Sequence, residues 1–230
     1  MSKVKLALIA SGSGTDAYAI MSAWKQGLIP NVYIRMLIST KTAAGCLRKA
    51  EELDIDTFII DRKSLGRSEF NHCLSDVLEG EGIQLVFLVG CVVKIPAIRG
   101  IDFYNIHPAD LHACGGDNMY GLEPHKKVLT DIADLVKRGR RHSGDRFFTY
   151  PTVHEVNRFL DEPQAYDSGE PLLRLSVEIP KDIIFMYLDK SLELEEAAEK
   201  LQKFVLPYEW RMLPLAVSLA ARKIEPDLSE

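Results

Sequence analysis

Asn105, His107 and Asp167 are the side chains best suited to chemistry in this chain. The first two stand two residues apart in Asn105-Ile106-His107-Pro108, at the end of the apolar pair Phe103-Tyr104. Residues i and i+2 of an extended strand share a face, so a carboxamide and an imidazole there can converge on one substrate atom. Further on, Asp167-Ser168-Gly169 follows a second apolar stretch and could bring a carboxylate to the same place. An Asn, His and Asp meeting at strand ends would handle protons and offer a donor to a developing oxyanion. Taken alone, a His beside Pro in a turn is more often a structural loop residue than a catalytic one.

The elements that must position these groups alternate between strand and helix. Val4 to Ile9, Tyr33 to Ile38, Thr57 to Ile60 and Leu85 to Val89 read as short buried strands. Between them, Asp16 to Gln26, Ala43 to Leu53 and Ser68 to Glu79 carry apolar residues at helical spacing. This order predicts an α/β fold: one Rossmann-like domain with a mostly parallel central sheet, right-handed crossovers and helices on both faces. Ligands in such a sheet lie beyond the carboxyl ends of the strands, where the Gly12 to Thr15 turn, Gly90-Cys91 and Asn105/His107 would meet. A helix over Pro124 to Arg138, a strand over Leu172 to Ile179 and a helical region from Leu192 to Ile224 complete the reading. Pro207 and Pro214 are expected to interrupt or kink that last region. We expect a single domain over 1–230, with a nucleotide-binding-like half over 1–100, catalytic strands and loops over 101–190 and a helical region over 191–230.

Composition narrows the function classes. A chain of 230 residues that is 47% hydrophobic and 27% charged can bury one large core. There is no apolar run long enough to cross a membrane, and the apolar strand behind Lys3 and Lys5 is too short for a signal-peptide core. The expected location is cytoplasmic. Cys46, Cys73, Cys91 and Cys114 lack zinc-like spacing and read as reduced thiols, so no metal is expected. A net charge of −5 argues against a nucleic-acid surface, and the basic run Lys137 to His142 reads as a solvated helix end.

Gly12-Ser13-Gly14-Thr15-Asp16-Ala17 fits GxGxxA, which raises a nucleotide-binding oxidoreductase as a rival. A nicotinamide-binding unit wants an acidic residue after the second strand, and that strand ends Ile38-Ser39-Thr40-Lys41. The turn could still present backbone N–H groups to a phosphate. Asp16, read as a helix N-cap, would satisfy the same amides itself.

The chain resembles the folate-dependent formyltransferases, and most closely those acting on glycinamide ribonucleotide. The motifs that carry the resemblance, in order, are Ser11 to Gly14, Ser39 to Ala43, Leu88-Val89-Gly90, Asn105 to Pro108, Thr152-Val153-His154-Glu155-Val156, Asp167-Ser168-Gly169 and Pro214. It implies that Asn105, His107 and Asp167 are catalytic, and that Gly90, Cys91, Val92, Val93 and Ile95 lie in a folate-binding loop. It further implies that Gly12, Ser13, Gly14, Thr15 and Asp16 belong to a ribonucleotide-phosphate loop, and that Glu209 contacts the ribonucleotide. The implied co-substrate is 10-formyltetrahydrofolate, with no metal; the implied partner is a small-molecule amine, and a homodimer is compatible with the pattern. Asp167 would then hold His107 protonated, giving activity a pH dependence near neutrality. A formyltransferase-like binding protein without turnover is the other alternative.

Three departures from the family bear on the acceptor. The family carries Asn where this chain has Asp16. Leu111, His112 and Ala113 replace a Lys and a Pro-Gly turn. The segment between Val156 and Asp167 is longer and includes Arg158, Asp161 and Glu162. A basic residue among Arg138, Arg140, Arg141 and Arg158 could compensate for Asp16.

Overall fold

A computed structural model describes residues 3–95, 98–156 and 167–224. Five strands form the parallel part of the main sheet: β1 (Val4–Ala10), β2 (Val32–Ser39), β3 (Thr57–Ile59), β4 (Leu85–Leu88) and β5 (Asp102–His107). Two more, β7 (Thr152–Glu155) and β8 (Pro171–Arg174), extend it in the order β3-β2-β1-β4-β5-β7-β8. β7 runs antiparallel to both neighbours. A separate two-stranded ribbon pairs β6 (Phe148–Thr149) with β9 (Val177–Glu178).

The central strands are near-continuous apolar runs because helices cover both faces. Along β1 the side chains alternate: Leu6, Leu8 and Ala10 enter one core, Ala7 and Ile9 the other. The first core is closed by α1 (Thr15–Lys25), α2 (Gly45–Glu52) and the C-terminal half of α7 (Leu194–Ile224). Phe70, Leu74 and Leu78, at helical spacing on α3 (Arg67–Gly80), close the second. A third core joins α5 (Glu123–Lys137), α6 (Lys181–Leu188) and the start of α7. Its helix α5 buries Val128, Leu129 and Ile132 on one stripe and carries Pro124 in its first turn, where a missing N–H costs nothing.

Two expectations need correction. The region expected as one strand from Leu172 to Ile179 is two: β8 ends at Arg174, Leu175 donates its N–H to the Pro151 carbonyl at 3.0 Å, and the chain then joins the ribbon through β9. Pro207 and Pro214 do not interrupt the last helix, which runs unbroken over its 31 residues. Each proline removes one intrahelical bond, and packing of Ala198, Leu201 and Val205 before them and Ala216, Val217 and Ala220 after them outweighs that loss.

Candidate active site

β1, β4 and β5 end together. Ser11 donates its N–H to the Gly90 carbonyl at 3.2 Å, and Leu88 lies beside Asn105 in the ladder. Gly12, Gly90 and Asn105 therefore share the carboxyl edge of the sheet, as the alternation predicts. Gly90 makes its turn at φ 68, a conformation that favours glycine.

A cavity of about 490 Å³ opens at this edge, within the size range of small-molecule sites. Gly90, Cys91, Val92, Val93 and Ile95 form one wall, and Asn105, His107 and Asp167 lie at its base. Asp16 and Glu209 line it as well. Gly12, Ser13, Gly14 and Thr15 are not among the described lining residues. The carbonyls of Gly12 and Ser13 accept from Cys46 N–H at 3.2 Å and Lys49 Nζ at 3.0 Å, so this turn is bound to α2. Asp16 is not the N-cap expected of it: Gly14 holds that position, and Asp16 instead accepts from Trp210 Nε1 at 3.1 Å. Beyond β2, where a nicotinamide-binding unit needs a carboxylate, Ser39 and Thr40 are buried, and the Thr40 hydroxyl bonds that of Ser11 at 2.7 Å. This turns the oxidoreductase rival aside.

Asp167 organises the base of the cavity. Its Oδ2 lies 3.5 Å from His107 Nδ1 and accepts from the Gly116 N–H at 3.2 Å. Its Oδ1 lies 3.3 Å from His154 Nε2 and accepts from Asn105 Nδ2 at 3.4 Å. His107 and His154 are each 2% exposed. Asp167 adopts φ 53, which Asp tolerates better than most residues. His107 Nε2 sits 2.8 Å from the Cys114 carbonyl, which only accepts, so that nitrogen carries hydrogen. The carbonyl is placed by α4 (Leu111–Cys114), a single turn whose N-cap Asp110 accepts from His112 and Ala113 N–H groups, both at 3.0 Å. Leu111, His112 and Ala113 thus form the short helix that fixes the His107 tautomer.

Burial would raise the Asp167 carboxyl, but the His154 hydrogen bond, the neighbouring His107 and His154 rings and the Gly116 N–H together hold it below the ordinary value. Burial also lowers His107, by more than the Asp167 carboxylate raises it. The resting site at pH 7 is therefore an ionised Asp167 beside a neutral imidazole. That corrects the expectation of a resting imidazolium: desolvation outweighs the ion pair. The neutral ring can take up a proton during a reaction, with Asp167 stabilising the cation formed.

Sequence reasoning did not place His154 or His125 in the site. His154 sits directly opposite Asn105 in the β5–β7 register, so both point to one face. The Val-His motif could have shown this had β7 been paired with β5. His125, on α5, is 1% exposed, lines the cavity and leaves Nδ1 without a partner among the described residues. Burial, then the neighbouring His107, pushes it down to about 4. The linked stability effect has a definite sign. The unfolded chain binds a proton near pH 6.5 that folded His125 refuses, so stability falls as pH drops from 6.5 towards 4, by up to roughly 3 kcal/mol. Asp16, raised to about 6 chiefly by burial, acts oppositely and loses stability as pH rises from 3.8 to 6. The wild-type curve mixes these with the shifts of His107, Asp167 and Glu209, so His125→Asn isolates the first: relative to wild type it should gain stability progressively below pH 6.5. Parallel denaturant-unfolding curves at pH 7 and pH 4.5 would contradict this.

Of the basic residues that might have met an anion, Arg138 pairs with Asp134 at 3.7 Å and Arg141 with Asp145 at 2.7 Å, and Arg140 is exposed at the end of α5. None of these three lines the cavity. Arg158, Asp161 and Glu162 lie outside the described residues. Among the described residues no group of His, Cys, Asp and Glu is arranged to hold a metal ion, and no helix is long and apolar enough to cross a membrane.

No family model matches the chain. It is 31% identical over 185 residues to the chloroplastic phosphoribosylglycinamide formyltransferase of Arabidopsis thaliana, covering 76% of this chain and 55% of that protein. Against the trifunctional purine biosynthetic protein adenosine-3 of Gallus gallus it is 34% identical over 226 residues, 95% of this chain and 18% of that protein. The phosphoribosylglycinamide formyltransferase of Haemophilus influenzae is 26% identical over 213 residues, 90% of this chain and 86% of that one. The chain is similar along most of its length to phosphoribosylglycinamide formyltransferases. It spans about half the length of the chloroplastic relatives. A glycinamide ribonucleotide transformylase from Symbiobacterium toebii shares the formyltransferase fold at TM-score 0.73 and 24% identity, over 96% of this chain and 89% of that one.

Proposed function

We propose that this protein transfers a formyl group from 10-formyltetrahydrofolate to a primary amine of a small molecule. Glycinamide ribonucleotide, named by the relatives, is the first acceptor to test. The observation that supports this best is the convergence of Asn105, His107 and Asp167 at the base of one cavity whose wall is Gly90 to Ile95. The half-buried Asn105 carboxamide holds only long contacts, at 3.4 Å, and can turn a donor to the formyl oxygen as negative charge develops there. His107, neutral at rest, takes the proton that the attacking amine must lose. Asp167, kept ionised, stabilises the imidazolium so formed, and the proton then passes to the departing folate nitrogen. Cys91, Val92 and Val93 offer an apolar wall that suits a pterin, held mainly through backbone groups. We place the protein in the cytoplasm, acting on a small-molecule amine as a homodimer.

The test is to incubate purified protein with 10-formyltetrahydrofolate, glycinamide ribonucleotide and a panel of primary amines, following tetrahydrofolate release. Release that depends on an amine supports the proposal; none with any acceptor sinks it. A bound folate analogue should also slow hydrogen exchange at the amides of Gly90 to Ile95. Protection confined to residues 11–16 would favour a nucleotide at the Gly12 turn instead.

A further inference from the structure

In the same cavity two carboxyls face the space without a counterion among the described residues. Glu209, on α7, is 4% exposed and lines the cavity, and its carboxyl makes no hydrogen bond to another described side chain. Asp16, the second residue of α1, lines the same cavity and accepts at Oδ1 from Trp210, the residue after Glu209. That bond ties Asp16 to the residue next to Glu209 where α1 packs on α7, with both carboxyls lining one cavity, and no described residue donates to Asp16 Oδ2. Among the described lining residues Lys94 alone is a lysine or arginine, and it pairs with Asp117 at 3.6 Å.

A buried carboxylate without a donor is costly. Burial accordingly pushes Asp16 up to about 6, against the lowering effect of its Trp210 hydrogen bond, and pushes Glu209 well above the ordinary range, where the charge of Asp16 adds to the effect. A phosphate would bring two more negative charges to carboxyls that already repel one another. An ammonium offers three N–H donors and an amidinium a planar pair, either of which satisfies both groups.

We propose that Asp16 and Glu209 form a seat for a cationic group, an ammonium or amidinium carried by the acceptor, where the family's relatives would be expected to take a ribonucleotide. The seat rests on the formyl-transfer reading for the identity of its ligand as an acceptor, and on this chain's own side chains for its charge preference. In that reading the acceptor is an amine with a second cationic group.

The test uses 1,4-diaminobutane and ribose 5-phosphate as probes, with binding measured by calorimetry on the full chain. Wild-type protein should bind the diamine at least tenfold more tightly than the sugar phosphate. Asp16→Asn keeps an acceptor for Trp210 and Glu209→Gln keeps the side-chain shape, so both should fold, as circular dichroism will show. Each should weaken diamine binding at least tenfold, and Asp16→Asn should improve ribose 5-phosphate binding. Tighter binding of ribose 5-phosphate by the wild type, binding of neither probe, or diamine binding untouched by both substitutions overturns the seat. If the diamine binds as expected while no amine of any kind is formylated, the seat stands and the formyl-transfer reading fails alone.

Discussion

Asp167→Asn should lower formyl transfer by about 100-fold or more while changing the unfolding midpoint little, because it removes a charge from a side chain whose shape is kept. The carboxylate sits between two buried histidines, 3.5 Å from His107 and 3.3 Å from His154, with the Gly116 N–H and Asn105 carboxamide on its oxygens. An amide there can still accept from Gly116 but cannot stabilise an imidazolium. His107→Ala should cost as much, and the double variant His107→Ala/Asp167→Asn little beyond the worse single, since Asp167 matters through the charge His107 acquires. Asn105→Ala should also lose about 100-fold, through the oxyanion. The acid limb of activity should fall below pH 6.5, because burial lowers His107, and the rate should stay level from there through neutrality. Additive losses in the double variant would show that the two groups act separately. Unchanged turnover in all three single variants would make the constellation structural.

What could be read from the sequence follows from how locally each feature is specified. The parallel half was legible because each strand is a short apolar run bounded by turns and each helix a periodic stripe. The carboxyl-edge placement of Gly12, Gly90 and Asn105 then follows from topology alone. The pairing of Asn105 with His154 was not legible, since it depends on a long-range antiparallel register between β5 and β7 that no local pattern encodes. The same holds for Asp16. Locally it reads as a helix cap, but a tryptophan far along the chain, on α7, draws its carboxylate into the cavity. His107 shows a third kind of gap. The residue types suggested an imidazolium beside a carboxylate, and only the depth of burial decides that the neutral ring wins at rest. Local pattern places backbones, whereas charge states depend on what three or four distant segments exclude from water.

Gly169→Ala should be the most damaging single substitution that touches no reacting group. A Cβ at Gly169 would stand 1.7 Å from the Glu155 carbonyl oxygen and 2.7 Å from its carbon. That neighbour is backbone and cannot rotate away. It is the last residue of β7, pinned on one side by Tyr104 of β5 and on the other by its own N–H to the Glu170 carbonyl at 3.0 Å. The methyl group must therefore push the entry to β8 away from β7, and Asp167, two residues upstream and already at φ 53, moves with it. A displacement of about 1 Å at a positioning group is enough to cost about 100-fold in rate. Forcing the strands apart should cost about 3 kcal/mol or more of stability, in the range reserved for steric conflict in packed backbone. Gly144→Ala is the control, because a Cβ there meets nothing within 4 Å, and its unfolding free energy should stay within about 0.5 kcal/mol of wild type. Denaturant unfolding and tetrahydrofolate release measured on both variants decide the matter. A Gly169→Ala protein as stable and as active as the Gly144→Ala control would mean that β7 and β8 do not approach as closely as described, and that Asp167 is held in place by something other than this contact.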